Sequence, residues 1–114
     1  MAATLKLFAT QWSVRWYPSQ ENEWPWPEKF QAIRDAGFDG VMSTPIPELS
    51  ERGDLTFWAI GSLGVGHDLR LFFEQATTLG AAGATVQPCD VETPLEDCVD
   101  VVKNIQKIAG WCAI

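Results

Sequence analysis

The sequence has few of the residues that metal and nucleophile chemistry requires. It contains one histidine, His67, and three cysteines, none of them in a Cys-x-x-Cys pair. A zinc cluster or a disulfide framework needs more of these residues at closer spacing, so we expect neither. Cys89, Cys98 and Cys112 are predicted to be reduced and mostly buried thiols.

Basic residues and long apolar runs are also scarce. Eight Lys and Arg stand against 15 Asp and Glu in 114 residues, a net charge of −7. An acidic surface gains nothing from the phosphates of a nucleic acid or an anionic membrane, so neither is an expected partner. No apolar run reaches the ~18 residues of a membrane span and no signal peptide is evident, so we predict a cytoplasmic protein.

Apolar residues make up 46% of the chain, enough for the core of one domain over residues 1–114. Its most regular feature is a glycine that closes a helix just before an apolar strand, at Gly37, Gly80 and Gly110. Strands are predicted at residues 5–9, 40–43, 56–62 and 84–88, and residues 111–114 open a fifth. Strands alternating with helices predict a parallel α/β sheet, open or forming a barrel.

Apolar residues three and four positions apart predict the helices. The first helix should begin near Pro25 or Pro27, and residues 47–52 should form a short helix closed by Gly53. Thr93 and Glu96 form a capping box that starts the last helix. The predicted core stripes of the two later helices are Leu69, Phe72, Phe73, Ala76 and Leu79, and Leu95, Cys98, Val99, Val102, Ile105 and Ala109.

Ligand sites of parallel α/β proteins lie at the carboxyl ends of the strands. The substrate-facing candidates there are Gln11, Trp12, Ser43, His67, Gln87 and Asp90. Amide and hydroxyl groups suit a sugar or polyol, because they both donate and accept hydrogen bonds. No nucleophile stands beside a base of its own, and a polar place in the first turn of a helix is the favoured interpretation of His67, so no catalytic residue is assigned.

Two other segments leave alternatives open. Residues 12–27 hold four tryptophans and a tyrosine, which either form a wall that stacks on a sugar or anchor a long loop. Gly64-Val65-Gly66 follows a predicted strand, as in a dinucleotide fingerprint, but Leu69 stands at the third glycine position. Because that glycine permits close helix–strand packing, a nucleotide site is the weaker hypothesis.

Four segments together resemble one family. Residues 5–14 (LKLFATQWSV), 24–30, 36–43 (AGFDGVMS) and 79–88 look like the amino-terminal half of the sugar phosphate isomerase/epimerase proteins, which are xylose isomerase-like TIM barrels. The resemblance implies the (βα)4 half of such a barrel, with parallel strands, ending at the start of strand five. It also implies a parent reaction in which a divalent metal, Mn, Mg, Co or Zn, assists the isomerisation or epimerisation of a sugar.

The family's metal ligands, carboxylates and a histidine, come from the second half of the barrel. The resemblance therefore assigns no metal ligand and no cofactor to this chain, and the isolated chain is expected to be inactive. Its unpaired edge strands predict self-association or pairing with a missing second half. The alternative is a small α/β module that binds a carbohydrate or a partner through the tryptophan-rich loop.

Overall fold

The structure, a computed structural model, describes residues 5–62, 69–87 and 92–112. Within these residues four strands alternate with three α-helices and two short 3₁₀ helices. Their order is β1 Phe8–Thr10, 3₁₀ Gln11–Val14, α1 Trp26–Asp35, β2 Gly40–Ser43, 3₁₀ Pro47–Glu51, β3 Thr56–Ser62, α2 Leu69–Thr78, β4 Gly83–Gln87 and α3 Leu95–Cys112.

The four strands form one parallel sheet in the order β1-β2-β3-β4. Each connecting segment therefore leads to the adjacent strand, and the sheet grows in one direction from β1 to β4. Because crossovers between parallel strands are right-handed, such a progression places all connecting segments on one face of the sheet. A doubly wound sheet instead reverses direction and carries helices on both faces. The predicted parallel α/β class is confirmed.

The core lies between the sheet and the layer of helices. Val41 and Phe57 on the strands, and Phe30 and Leu49 on the connecting segments, are completely buried. Burial of side chains of this size stabilises a fold by roughly 1.5–3 kcal/mol each. Helix α1 begins at Trp26, directly after Pro25, so its predicted start is confirmed.

The other face of the sheet, here called the open face, carries Phe8, Met42, Trp58, Ile60 and Thr85, which alternate along the strands with the core residues. The rings of Phe8 and Trp58 meet edge to face at 6.2 Å, and Trp58 Nε1 donates a hydrogen bond to Thr85 Oγ1 at 2.8 Å. Ile60 is 6% exposed although it is not part of the helix-side core. These side chains pack on one another on the side of the sheet away from the helix-side core.

Two strand boundaries differ from the predictions. The predicted strand 5–9 is observed as β1 Phe8–Thr10, with Leu5 80% exposed. The ladder starts late because the side chain of Asp39, through Oδ2, accepts the backbone N–H of Leu7 at 2.8 Å. The last strand, predicted at 84–88, is observed as Gly83–Gln87, and Pro88 lies outside the described residues. The strands predicted at 40–43 and 56–62 are confirmed.

Helix α3 differs most from its prediction. It continues through Gly110 to Cys112, so the turn predicted at Gly110 and the fifth strand predicted from residue 111 are wrong there, while residues 113 and 114 lie outside the described part. Gly37 and Gly80, which do close helices, have φ of 90° and 78°. A glycine inside a helix costs only about 1 kcal/mol relative to alanine, which adjoining helical residues can offset.

The core-facing side of α3 is also displaced from the predicted stripe. Ile105 is buried as predicted, but Val101 and Ile108 pack beside it, whereas Leu95 and Val99 are 76% and 43% exposed. The displacement has a physical reason: α3 packs against α2, and therefore buries the arc of its surface that faces that helix. Among the described residues, no helix combines the length and the apolar character that a membrane crossing requires.

One cysteine differs from its prediction. Cys98 on α3 is disulfide-bonded, so the expectation of a reduced thiol is wrong at this residue. Cys89 lies outside the described residues. Cysteine count and sequence spacing carry no information on which thiols meet in space, and the prediction depended on those alone.

Candidate functional site

A hydrogen-bonded cluster joins the carboxyl ends of β1 and β2. The side-chain oxygen of Gln11 accepts the backbone N–H of Thr44 at 2.6 Å and the hydroxyls of Ser43 and Thr44 at 2.8 and 3.2 Å. The Thr44 N–H can only donate, so it fixes which end of the Gln11 amide faces it. The Nε2 group of Gln11 is therefore turned away, and it has no hydrogen-bond partner among the described residues.

The sequence around Gln11 holds it in this place. Thr10, the last residue of β1, caps the 3₁₀ helix that follows: its hydroxyl accepts the N–H of Ser13 at 3.3 Å. The Ser13 hydroxyl donates back to the Thr10 carbonyl at 2.7 Å. This reciprocal pair makes the chain turn directly after the strand, so Gln11 reaches across to β2. Ser43, fully buried at the end of β2, completes the cluster.

A cavity of about 430 Å³, here called the edge cavity, opens beside this cluster. Its size is within the range of small-molecule sites. Trp12 forms an exposed aromatic flank, 58% accessible, and Met42 and Ile60 supply an apolar floor. Thr44 and Gln87 bring hydroxyl and amide groups to its rim. The described residues that line it are Trp12, Met42, Thr44, Ile60, Gly61, Thr85, Val86 and Gln87.

Four of the six predicted site residues lie at this one edge of the sheet. Gln11 and Ser43 are hydrogen-bonded to each other, and Trp12 and Gln87 line the edge cavity. His67 and Asp90 lie outside the described residues. The cavity floor, Met42 and Ile60, was missed by the sequence reasoning. The signal that finds it is strand alternation, because these residues lie on the opposite side of their strands from the buried Val41 and Ala59.

The described lining of the edge cavity does not fit the metal that the family resemblance implies. Among the described residues, its polar groups are two threonine hydroxyls, one amide and an indole, with no carboxylate or imidazole. Divalent ions of the Mn, Mg, Co and Zn type are held mainly by those charged or imidazole ligands. In the described ranges 5–62, 69–87 and 92–112, no three His, Cys, Asp or Glu side chains lie close enough to hold a metal ion.

The tryptophan-rich loop after the first 3₁₀ helix is organised by Glu23. Its Oε2 accepts the backbone N–H of Trp16 at 3.1 Å and pairs with the ammonium of Lys29. The hydrogen bond from Lys29, followed by that from the Trp16 backbone, lowers the pKa of Glu23 below its usual value. Lys29 is only 2% exposed and lies 4.7 Å from the centre of the Trp26 ring. Glu23 thereby holds Trp16 in a left-handed conformation, with φ of 65°.

A second cavity, here called the outer pocket, lies between this loop and the outer side of α1. It has about 590 Å³ and is lined by Tyr17, Trp24, Glu28, Gln31, Ala32, Asp35 and Ala36. The rings of Tyr17 and Trp24 are 5.2 Å apart at 77°, so they form a corner rather than a stack. The outer pocket has no lining residue in common with the edge cavity.

Comparison with known proteins gives no relative from which chemistry could be transferred. No family model, no curated protein and no solved structure matches this chain. The geometry of the two cavities and the chemistry of their lining are therefore the basis for assigning a function.

Proposed function

We propose that this chain is one wall of a parallel-stranded barrel and binds a sugar or polyol in the edge cavity. The observation that carries the proposal is the pairing of the exposed Trp12 indole with the hydroxyl and amide groups of Thr44 and Gln87 in one cavity at the carboxyl edge of the sheet. Trp12 offers a flat apolar surface for the C–H face of a sugar ring. Gln11 Nε2, fixed in direction by Thr44, and the amide of Gln87 supply hydrogen bonds for hydroxyl groups.

Two features of the sheet support the barrel. The order β1-β2-β3-β4 winds in one direction only, as in a closed (βα)8 barrel. On the open face, bulky Phe8 and Trp58 from β1 and β3 lie over Gly40 and Gly83 of β2 and β4. Layers filled by alternate strands are the packing of an eight-stranded barrel interior. The open face is thus suited to face a second wall rather than water.

The second wall would come from a further four-stranded unit, either a second copy of this chain or a separate missing half. A two-fold axis along the strands would set β4 of one copy beside β1 of the other, parallel in both places. Both free edges would then be hydrogen-bonded and both open faces covered. We propose self-association of this kind for the isolated chain.

The parent reaction proposed from the family resemblance is the isomerisation or epimerisation of a sugar. A divalent metal would polarise the sugar's oxygens in such a reaction. Since the described lining of the edge cavity offers no metal ligand set, the part proposed for this chain is to bind and orient the sugar through Trp12 and Gln87, which line the cavity, and through Gln11, which is hydrogen-bonded to its rim residue Thr44. We propose that the isolated chain has no isomerase or epimerase activity, with or without added Mn²⁺ or Mg²⁺.

The proposed location is the cytoplasm, as the sequence predicts. The disulfide at Cys98 weighs against it, because structural disulfides are rare in reducing compartments.

Isothermal titration with D-fructose and sorbitol tests the sugar site. Trp12→Ala should weaken binding by about tenfold, because an exposed stacking surface is lost while the core is untouched. Gln11→Glu keeps an oxygen for the Thr44 N–H but removes the amide donors, so it should also weaken binding. Trp24→Ala, in the outer pocket, is the matched control and should bind as the wild type does. Equal affinity of the wild type and Trp12→Ala, or a loss only in Trp24→Ala, would contradict the proposal.

A further inference from the structure

The outer pocket combines two aromatic rings with a negatively charged rim. Tyr17 and Trp24 are about two-fifths exposed, at 43% and 39%, so their rings are accessible from solvent. Glu28 and Asp35 lie seven residues apart on the same side of α1, which places them about 10 Å from each other along the helix. The alanines of α1 between and beyond them leave room for a side chain to lie against the helix.

The charge of this pocket is not balanced by its own lining. Its two carboxylates have no cationic neighbour among the seven lining residues. Asp35 accepts one hydrogen bond, from Gln31 at 2.8 Å, which leaves its other oxygen available. Nearby cations in the described part of the chain bind elsewhere: Arg34 pairs with Asp54, and Lys29 pairs with Glu23. An occupant that brings positive charge would meet carboxylates that no protein cation already holds.

The aromatic corner is also held in place before any ligand arrives. The backbone N–H of Trp24 donates to the Tyr17 carbonyl at 2.8 Å, which ties together the two ends of the loop that carries the rings. Glu23 anchors the same loop through Trp16 and the buried Lys29. A preorganised surface loses little conformational entropy on binding, so even a small contact area can give measurable affinity.

We propose that the outer pocket binds an arginine side chain of a partner protein's peptide segment. The guanidinium would lie against the Trp24 or Tyr17 ring, where the electron-rich face attracts a cation. Its planar fork would pair with the carboxylate of Glu28, which has no partner among the described residues. Arginine fits better than lysine, because it stacks on aromatic rings and loses less hydration on leaving water. This site is independent of the proposed sugar site, since the two cavities have no residue in common.

The experiment is an NMR titration of the full chain with an acetylated and amidated pentapeptide that contains one arginine between glycines. The same peptide with citrulline, which keeps the shape and loses the charge, is the ligand control. The arginine peptide should shift the Trp24 indole signal and bind at least about fivefold more tightly than the citrulline peptide. Binding should weaken as NaCl is raised. Equal binding of the two peptides, or no shift at the Trp24 indole, would overturn the proposal.

Exposed carboxylates provide variants that leave the fold intact. Glu28→Gln and Asp35→Asn should each lower affinity for the arginine peptide by roughly three- to fivefold, whereas Glu51→Gln, an exposed glutamate on the second 3₁₀ helix, should not change it. Trp24→Ala should abolish the preference for arginine over citrulline. A uniform loss in all four variants, or binding of D-fructose with the same indole shift, would show that the pocket is not an arginine site. Sugar binding in the edge cavity is measured separately, so either proposal can be disproved without affecting the other.

Discussion

Gly40→Ala and Gly83→Ala, which each add a methyl group on the open face, should both destabilise the fold. Removing the neighbouring aromatic ring should rescue Gly83→Ala much more than Gly40→Ala. A Cβ at Gly83 would lie 2.5, 2.6 and 2.9 Å from three atoms at the far end of the Trp58 ring. A Cβ at Gly40 would lie 2.6 and 2.8 Å from the Phe8 ring, and closer still to the backbone oxygen of Thr56. Carbon atoms pack at ~3.5–4.0 Å, so both positions are overfilled.

The expected cost is about 1–3 kcal/mol for each glycine-to-alanine change. Gly83→Ala should be at the lower end, because the Trp58 ring can move after breaking its hydrogen bond to Thr85. Gly40→Ala should be at the upper end, because the obstructing Thr56 oxygen belongs to the neighbouring strand. At about 4 °C per kcal/mol, the melting temperature should fall by roughly 4–12 °C.

A double-mutant cycle by urea unfolding, followed by circular dichroism, separates these causes. Trp58→Leu removes the atoms that obstruct Gly83, so the two changes together should be less destabilising than their sum, by about 1–2 kcal/mol. Phe8→Leu should rescue Gly40→Ala by much less, since the strand oxygen remains. Additive effects at Gly83, or full rescue at Gly40, would refute the layered packing of the open face.

Three further predictions concern stability and assembly. Gly110→Ala should stabilise the chain by about 0.5–1 kcal/mol in thermal unfolding, because Gly110 is helical and a Cβ there meets nothing within 4 Å. A destabilised variant would instead support the turn that the sequence predicts at Gly110. The pKa of Glu23 is lowered in the folded state from 4.5, so its ionised carboxylate should stabilise the fold above pH 4.5, and this stabilisation should be lost as the pH falls below that value. The free energy of unfolding, measured with urea across this pH range, should depend less on pH in Glu23→Gln than in the wild type. Sedimentation velocity should show self-association, reduced by Thr85→Asp at an exposed position of the open face, and a stable monomer at all concentrations would contradict the proposed closure.

The sequence predicted those elements whose causes are local. Strands β2 and β3 were predicted to the residue, because short apolar runs follow a glycine or a short 3₁₀ helix that ends at Glu51, with Gly53, whose φ is 66°, in the turn after it. The start of β1 was missed because the Asp39 side chain, 32 residues away, takes the Leu7 N–H out of the ladder. The end of α3 was missed because a glycine in sequence does not reveal whether the chain turns there.

In the candidate site, too, some features could be predicted from the sequence, whereas others depend on contacts between distant segments. Gln11 and Ser43 were predicted from one topological rule, that parallel strands bring their carboxyl ends to one edge, and they are hydrogen-bonded at 2.8 Å. The direction of the Gln11 amide depends on the Thr44 N–H of another strand, which no pattern in the sequence encodes. The corner formed by Tyr17 and Trp24 depends likewise on how the loop folds back on α1, although its aromatic composition is plain from the sequence.

The measurement that tests the central claim most directly is a map of backbone and indole NMR shifts as D-fructose is added to the isotope-labelled chain. The sugar site at the carboxyl edge predicts that the largest shifts occur at the Trp12 indole, the Thr44 amide and the Gln87 side chain. It predicts the same shifts without added metal. Shifts confined to the outer pocket, or no saturable shift at the edge cavity, would contradict the account.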